Sequence, residues 1–169
     1  MQIAKIEDQP QSVVVATDAS ALMSVISRAA SDPSTDVDKL ERLMSLYERI
    51  TAKTAEQSYA QAFALMQPEL PIVAERGSIK NRDGKVQSTY ALWEDINEAV
   101  KPVLARHGFS ISFRTVTEAG KISVTAVLRH AGGHSDTTTM ELLPDGSGSK
   151  NAVQAVASSV SYGKRYTAG

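Results

Sequence analysis

Between Phe109 and Leu143 the chain alternates apolar and polar residues in three stretches parted by short turns. Phe109, Ile111 and Phe113 alternate with Ser110, Ser112 and Arg114; Ile122, Val124, Ala126 and Leu128 alternate with Ser123, Thr125, Val127 and Arg129. A period of two sends successive side chains to opposite faces, the mark of a half-buried strand. The link Glu118-Ala119-Gly120-Lys121 makes the first two strands a hairpin, and Ala131-Gly132-Gly133 turns the chain into a third strand, Ser135 to Leu143. The pattern predicts an antiparallel meander with one packed face and one more polar face. A flexible loop, Pro144-Asp145-Gly146-Ser147-Gly148-Ser149, leads into a last helix from Asn151 to Tyr166.

Upstream the periodicity is helical. Residues 1 to about 18 read as a mobile arm or isolated strand, because Val13-Val14-Val15 is β-prone but flanked by Gln, Pro and Ser. A short helix is expected from Ala19 to Ala30, ending at the turn Ser31-Asp32-Pro33-Ser34. A long helix starts near Thr35, where Thr35 and Asp38 have the form of a capping box, and runs to Met66, roughly 45 Å at 1.5 Å per residue. Leu40, Leu43, Tyr47 and Ile50 share its apolar face, and Pro68 and Pro71 end it. Ile72 to Ile79 reads as extended, followed by a polar turn over Lys80–Lys85. A helix from Tyr90 to His107 carries Trp93, Ile96, Val100 and Leu104 on one stripe, with Pro102 bending it and Gly108 as the residue past its end. No internal repeat is present.

The 169 residues suit one globular domain with an attached helical segment. No run of 18 apolar residues exists, the N-terminus has no signal-peptide pattern, and cysteine is absent, which excludes disulfides and thiolate chemistry. A reducing cytoplasm fits the absence of cysteine. The net charge of −1 speaks against a nucleic-acid binder. It is unevenly spread, however: residues 1–71 carry 6 Lys/Arg against 10 Asp/Glu, and residues 72–169 carry 12 against 9. Phosphate binding depends on a local basic patch rather than on the total.

Enzyme chemistry finds little support. His130 and His134 flank a Gly-Gly turn where two ring nitrogens would meet a metal, but no carboxylate stands at a spacing that completes a shell, and turn histidines are the simpler reading. No nucleophile elbow appears. Asp136, Glu141 and Asp145 form the closest approach to a nuclease-type carboxylate cluster, at the rim of one strand, and solvated roles suit them as well. No catalytic residue, metal or cofactor is expected.

Three features point to phosphates. The loop Asp145-Gly146-Ser147-Gly148-Ser149-Lys150 opens a helix whose amides attract anions; it lacks P-loop spacing, so it is either a flexible connection or a phosphate contact through Lys150. The turn carries Lys80, Arg82 and Lys85, either a DNA contact or solvated surface. The last helix places Val153, Val156, Val160 and Gly163 toward the sheet and Gln154, Ser158, Ser161 and Arg165 on the opposite stripe, flanked by Lys164. Its Ala and Ser residues keep it thin, so a neighbour approaches closely. Its end, Tyr162-Gly163-Lys164-Arg165-Tyr166, offers cations for phosphates and rings for bases. A core helix with cations favoured by its dipole explains the same residues equally well.

The order of these residues resembles the ERF family, the phage essential recombination function proteins. Tyr90, Ile96, Val100, Pro102, Leu104, His107, Gly108 and Phe109 look like that family's tyrosine-to-Pro-x-Leu-x-x-His-Gly segment, and His130-Ala131-Gly132-Gly133 resembles its strand-end motif. The run Gln154 to Tyr166 is similar to its closing signature, a small-residue helix ending in Tyr-x-(Lys/Arg)-Arg-Tyr. The likeness covers about residues 35–168, which divides the chain into an arm and short helix (1–34) and an ERF-like single-strand annealing domain (35–169).

That resemblance implies an α+β fold with an antiparallel β-β-β-α annealase-like core behind an N-terminal helical segment that includes one long helix. It implies an ATP-independent protein of homologous recombination and DNA repair, of bacteriophage type, that binds and anneals single-stranded DNA and passes through an annealed duplex intermediate. Rings or helical filaments of identical subunits are expected, with the long helix and the thin last helix as subunit contacts and no membrane partner. The DNA backbone is expected in a groove between hairpin and last helix. Carried over by position, it would meet Lys164 and Arg165 on the helix and Arg82 and Lys85 on the turn, with Arg114 and Arg129 secondary; Tyr162, Tyr166, Lys80 and Lys150 join these candidates from the reading of the helix end, the turn and the loop themselves. The family usually continues past the closing tyrosine into an apolar run, whereas this chain stops at Gly169, and the resemblance leaves open whether a further C-terminal region with partner-binding functions follows. Two rival functions remain: a metal-dependent recombination nuclease, and a structural oligomer whose basic turn is incidental.

Overall fold

A computed structural model describes residues 13–81 and 83–168, with side chains from Ser20 onward. It divides into two compact units, the first ending at Gln57 and the second starting at Ser58. The first unit holds helix α1 (Val13–Ala30) and the greater part of helix α2 (Val37–Met66). Helix α1 begins six residues before the expected Ala19, and the valines expected in an arm or strand form its first turn. Valine is disfavoured in a helix by at most about 0.7 kcal/mol, too little to stop one that an Ala-, Leu- and Met-rich stretch propagates. The remaining arm, residues 1–12, lies outside the described residues.

Helix α2 is not started by the expected Thr35–Asp38 capping box. The Asp36 carboxylate accepts the Asp38 amide at 2.9 Å, and the Asp36 carbonyl accepts the amides of Lys39 and Leu40. A carboxylate at a helix N-terminus is also favoured by the dipole, which a threonine hydroxyl is not. In the first unit Ile26 is buried and Leu40, Leu43 and Tyr47 are half-buried, while Ile50 is 38% exposed.

The second unit starts on the last two turns of α2, followed by a 3-10 turn at Gln67–Glu69. Strands β1 (Gly77–Lys80) and β2 (Val86–Tyr90) then form a small antiparallel hairpin with a register shift between Ile79 and Lys80. Strand β2 fills the stretch that the sequence reading left unassigned between the turn ending at Lys85 and the helix expected from Tyr90. Val-Gln-Ser-Thr-Tyr is exposed except at Tyr90, so no alternation of apolar residues announces it. Helix α3 (Trp93–Arg106) therefore starts three residues later than Tyr90. It ends at His107 and Gly108, whose φ of 73° is the left-handed conformation expected of the residue past a helix.

Strands β3 (Phe109–Glu118), β4 (Lys121–His130) and β5 (Ser135–Leu142) form the meander, in the order β3-β4-β5. The first turn takes two residues, Ala119 and Gly120, at φ 48° and 77°, as the twist of a tight hairpin requires. Pairing of Phe109 with His130, Ile111 with Leu128, Phe113 with Ala126 and Thr115 with Val124 places the apolar side chains on one face. Met66, Val103, Leu104 and Phe109 form the core there, with Tyr59, Phe63, Val100, Ile111 and Leu128 packed around it. Tyr59 meets Phe109 edge-on, with ring centroids 5.2 Å apart.

Helix α4 (Ala152–Thr167) crosses this same face. Its buried stripe is Ala155, Ser159, Gly163 and Thr167, not the expected Val153, Val156, Val160 and Gly163. Val153 is 78% exposed, and Val156 and Val160 are half-buried. The smallest side chains line up four residues apart and let the helix descend onto the sheet. At Gly163 a Cβ would stand 2.6 Å from a Val124 methyl, well inside contact distance. Close packing on Val124 is thus the reason a glycine, costly by about 1 kcal/mol inside a helix, stands here.

Candidate nucleic-acid interface

Helix α4 is held at its start, middle and end. Asn151 accepts the Gln154 amide at 2.9 Å and the Gln154 side chain accepts the Asn151 amide at 3.0 Å, a reciprocal capping box. The Ser159 hydroxyl donates to the Leu143 carbonyl at 2.8 Å and accepts the Asp145 amide at 2.9 Å. The Asp145 carboxylate gathers the Lys150 ammonium at 2.6 Å, the Ser147 hydroxyl at 2.6 Å and the Ser158 hydroxyl at 2.7 Å. These partners, Lys150 first, hold its pKa far below the usual carboxylate range.

The far end of α4 carries Lys164 and Arg165 in its last turn, where the helix dipole favours cations. Each sits over aromatic rings. The Arg165 guanidinium lies 4.3 Å from the centre of the Tyr90 ring and 5.5 Å from that of Tyr162. The Lys164 ammonium lies 5.6 Å over Phe113, whose ring meets Trp93 edge-on at 4.8 Å. Tyr162 and Tyr166 stack at 4.3 Å and are 40% and 56% exposed. The bond to the Tyr166 hydroxyl, then burial, pushes the Tyr162 hydroxyl above the usual tyrosine range. Gly77 makes room for this arrangement, since a Cβ there would overlap the Tyr90 ring across the hairpin. Cations over ring faces are oriented without losing their charge.

The structure brings Lys164, Arg165, Tyr162 and Tyr166 into one cluster and adds Tyr90, Trp93 and Phe113, which were not among the expected contacts. These three sit at the end of a strand, the start of a helix and the middle of a strand; Tyr90 was legible as the tyrosine of the family segment, but only the fold brings it and Phe113 under the cations of the closing signature. Through Arg165 and Tyr90 the last helix meets the small β1–β2 hairpin at its base, a different hairpin from the β3–β4 pair named for the expected groove. Lys80 and Lys85 flank the opposite end, about 13 Å along β2 at 3.3 Å per residue. There Asn81 closes the turn by accepting the amides of Asp83 and Lys85 at 3.1 and 2.9 Å. Arg82 lies outside the described residues. Lys150 is tied to Asp145 rather than free. Arg114 and Arg129 are on the sheet face that α4 does not cover, because their cross-strand partners are Thr125 and Ser110, one register position from the packed residues.

The candidate carboxylates do not gather. Asp136 pairs with Leu128 and Glu141 with Ser123, positions on opposite faces of the sheet, and Glu141 lies 3.4 Å from Lys121. Among the described residues no group of three His, Asp or Glu side chains is placed to hold a metal ion. His130 and His134 pack against Tyr59, with ring centroids 6.3 and 4.9 Å away. His107 and Arg106 share Glu69, at 3.0 and 2.7 Å, and this pins the 3-10 turn to the end of α3. No described helix is long and apolar enough to cross a membrane.

Fold and site together define an α+β domain that presents cations interleaved with aromatic rings at the end of a helix laid on an antiparallel meander. The family model of the ERF superfamily matches residues 59–168, and the chain belongs to that superfamily. Membership brings with it a recombination- and annealing-related function and an interaction with single-stranded DNA. No curated protein and no solved structure matches the chain significantly.

Proposed function

We propose that this protein binds single-stranded DNA and anneals complementary strands without nucleotide hydrolysis. The observation that carries the reading is the cluster of Lys164 and Arg165 with Tyr90, Phe113, Tyr162 and Tyr166. The cations neutralise phosphates of one strand, the exposed tyrosines take unpaired bases, and the free energy of pairing and stacking drives the second strand on. The protein itself breaks no bond, so neither ATP nor a metal is needed. One subunit offers a short site; a ring or helical filament of identical subunits multiplies it through effective concentration. Met23, Val25, Met44, Leu46 and Ile50, each more than a third exposed in the first unit, suit that assembly. We place this activity in phage-type recombination and repair within a bacterial cytoplasm.

The test is an annealing assay on complementary oligonucleotides without ATP, paired with binding to one of them across salt concentrations. Lys164→Ala with Arg165→Ala removes two phosphate contacts, which lowers the salt slope by about 1.4 and single-strand affinity roughly 15-fold near 0.15 M. Assembly stays intact. Unchanged binding in a folded double variant removes these residues from the site, and magnesium-dependent loss of labelled oligonucleotide favours a nuclease instead.

A further inference from the structure

The three-stranded sheet has a second face, and its register fixes what stands there. Three cross-strand rows run Ser110–Arg129–Ser135, Ser112–Val127–Thr137 and Arg114–Thr125–Thr139. Six of these nine positions bear hydroxyls, two bear guanidinium groups, and none bears a carboxylate. Helices α3 and α4 both pack on the other face, through Trp93 on Phe113 and Gly163 on Val124. Ser110, Arg114, Arg129, Ser135, Thr137 and Thr139 are exposed. Only Val127 is buried, beside the Arg129 side chain that reaches over to the Ser112 hydroxyl at 2.7 Å.

Arg129 thus uses one of five guanidinium donors within the sheet, and Arg114 none among the described residues. Two always-charged forks stand about 14 Å apart at their Cα atoms, two rows along and one strand across. Hydroxyls lie around them, and the acidic residues of this face, Glu118 and Glu141, are confined to the turn end, where Glu141 is partnered by Lys121. Such a surface complements a chain of phosphates. It holds no aromatic ring, in contrast to the end of α4, and so has nothing on which an unpaired base can stack.

We propose that this open face is a second nucleic-acid surface, which holds paired DNA through the phosphates of its backbone. Calling that duplex the product of annealing rests on the function proposed above; the surface itself does not. Division of labour follows from chemistry: rings and cations at the end of α4 hold unpaired strands, and ring-free guanidinium and hydroxyl groups hold strands whose bases are already paired.

The experiment compares a single-stranded oligonucleotide with a preformed duplex of the same length, each titrated at several salt concentrations. Arg114→Gln with Arg129→Gln is expected to lower the salt slope for duplex by about 1.8 and duplex affinity about 30-fold near 0.15 M. Single-strand affinity stays as it was. Lys164→Ala with Arg165→Ala shows the reverse pattern. Thr137→Glu, which adds a carboxylate to the centre of the face, lowers duplex affinity without touching either arginine and serves if the double variant does not fold. Duplex affinity unchanged in a folded variant, or equal losses for duplex and single strand, overturns the proposal. Failure of the α4 variant alone to lose single strand removes the first site and leaves this one standing.

Discussion

Replacing Gly163 by alanine sets two effects of opposite sign against each other. Helix propensity alone favours alanine over glycine inside a helix by about 1 kcal/mol. The structure argues the other way, since the new Cβ would stand 2.6 and 2.7 Å from Cγ2 and Cβ of Val124. Val124 is fully buried in the central strand, and its Cβ is fixed to the backbone, so no rotamer relieves the contact. Ordinary contact begins near 3.4 Å, and helix and sheet must separate by most of an ångström. Overpacking of this kind costs up to about 3 kcal/mol. Subtracting the propensity gain leaves about 2 kcal/mol of destabilisation, or roughly 8 °C in Tm for a unit of this size. The assay is thermal unfolding of Gly163→Ala beside Ala157→Gly. That control sits on the exposed face of the same helix and isolates the propensity effect. The lift also shifts Lys164 and Arg165 off their rings, so single-strand affinity falls together with Tm. A Gly163→Ala protein as stable as the parent, or more so, refutes the reading of α4 as a helix seated by its small residues.

Two further outcomes follow from side chains at the ends of that helix and in the 3-10 turn. Tyr166→Ala removes an exposed stacking ring, worth about 1–3 kcal/mol per base; affinity for a short single strand drops by roughly 5- to 150-fold while duplex affinity holds, and equal losses on both count against a base platform. The carboxylates of Asp145 and Glu69 are both held below their ordinary values, by Lys150 with two serines and by Arg106 with His107. A lowered folded-state pKa gives stability that is fully present above the ordinary carboxylate range and is lost as pH falls through the folded value. Tm therefore declines as pH is lowered below about 4, and Asp145→Asn flattens the decline; an identical pH profile in that variant refutes the part assigned to Asp145.

How far the fold was legible depended on whether periodicity reported packing. The meander was readable because Phe109, Ile111 and Phe113 answer His130, Leu128 and Ala126 across one packed face, so alternation and burial coincide. The start of α4 was readable from Asn151 and the loop before it. Strand β2 was not, because Val86 to Thr89 bury nothing and leave no pattern. The buried face of α4 was misread for a related reason: hydrophobicity nominated Val153, whereas closeness of approach selects residues by size, and Ser159 and Gly163 win where valine does not fit. The cations of the site were visible in the closing signature. Their seats on Tyr90 and Phe113 were not, since these rings come under the cations only when hairpin, helix and sheet are assembled.

The objection from net charge dissolves once cations are sorted by partner. Arg76 is bound to Asp95, Arg106 to Glu69, Lys121 to Glu141 and Lys150 to Asp145. Carboxylates and cations in these pairs cancel locally and contribute little to the field a phosphate meets. Among the described residues of the second unit, Lys80, Lys85, Lys101, Arg114, Arg129, Lys164 and Arg165 have no carboxylate within ion-pair distance. Lys164 and Arg165 are placed on rings rather than acids, and Arg129 on a hydroxyl, neutral partners that orient a cation and leave its charge for a ligand. A chain with a formal charge of −1 can thus present cationic surfaces, because Asp95, Glu69, Glu141 and Asp145 are matched with cations that stand elsewhere, while Lys164, Arg165, Arg114 and Arg129 are matched with no acid among the described residues. Exchanging Lys150 for Gln would change the net charge as much as exchanging Lys164, yet only the second should lower the salt slope for single-stranded DNA, by about 0.7. Equal losses from the two substitutions would return the argument to net charge.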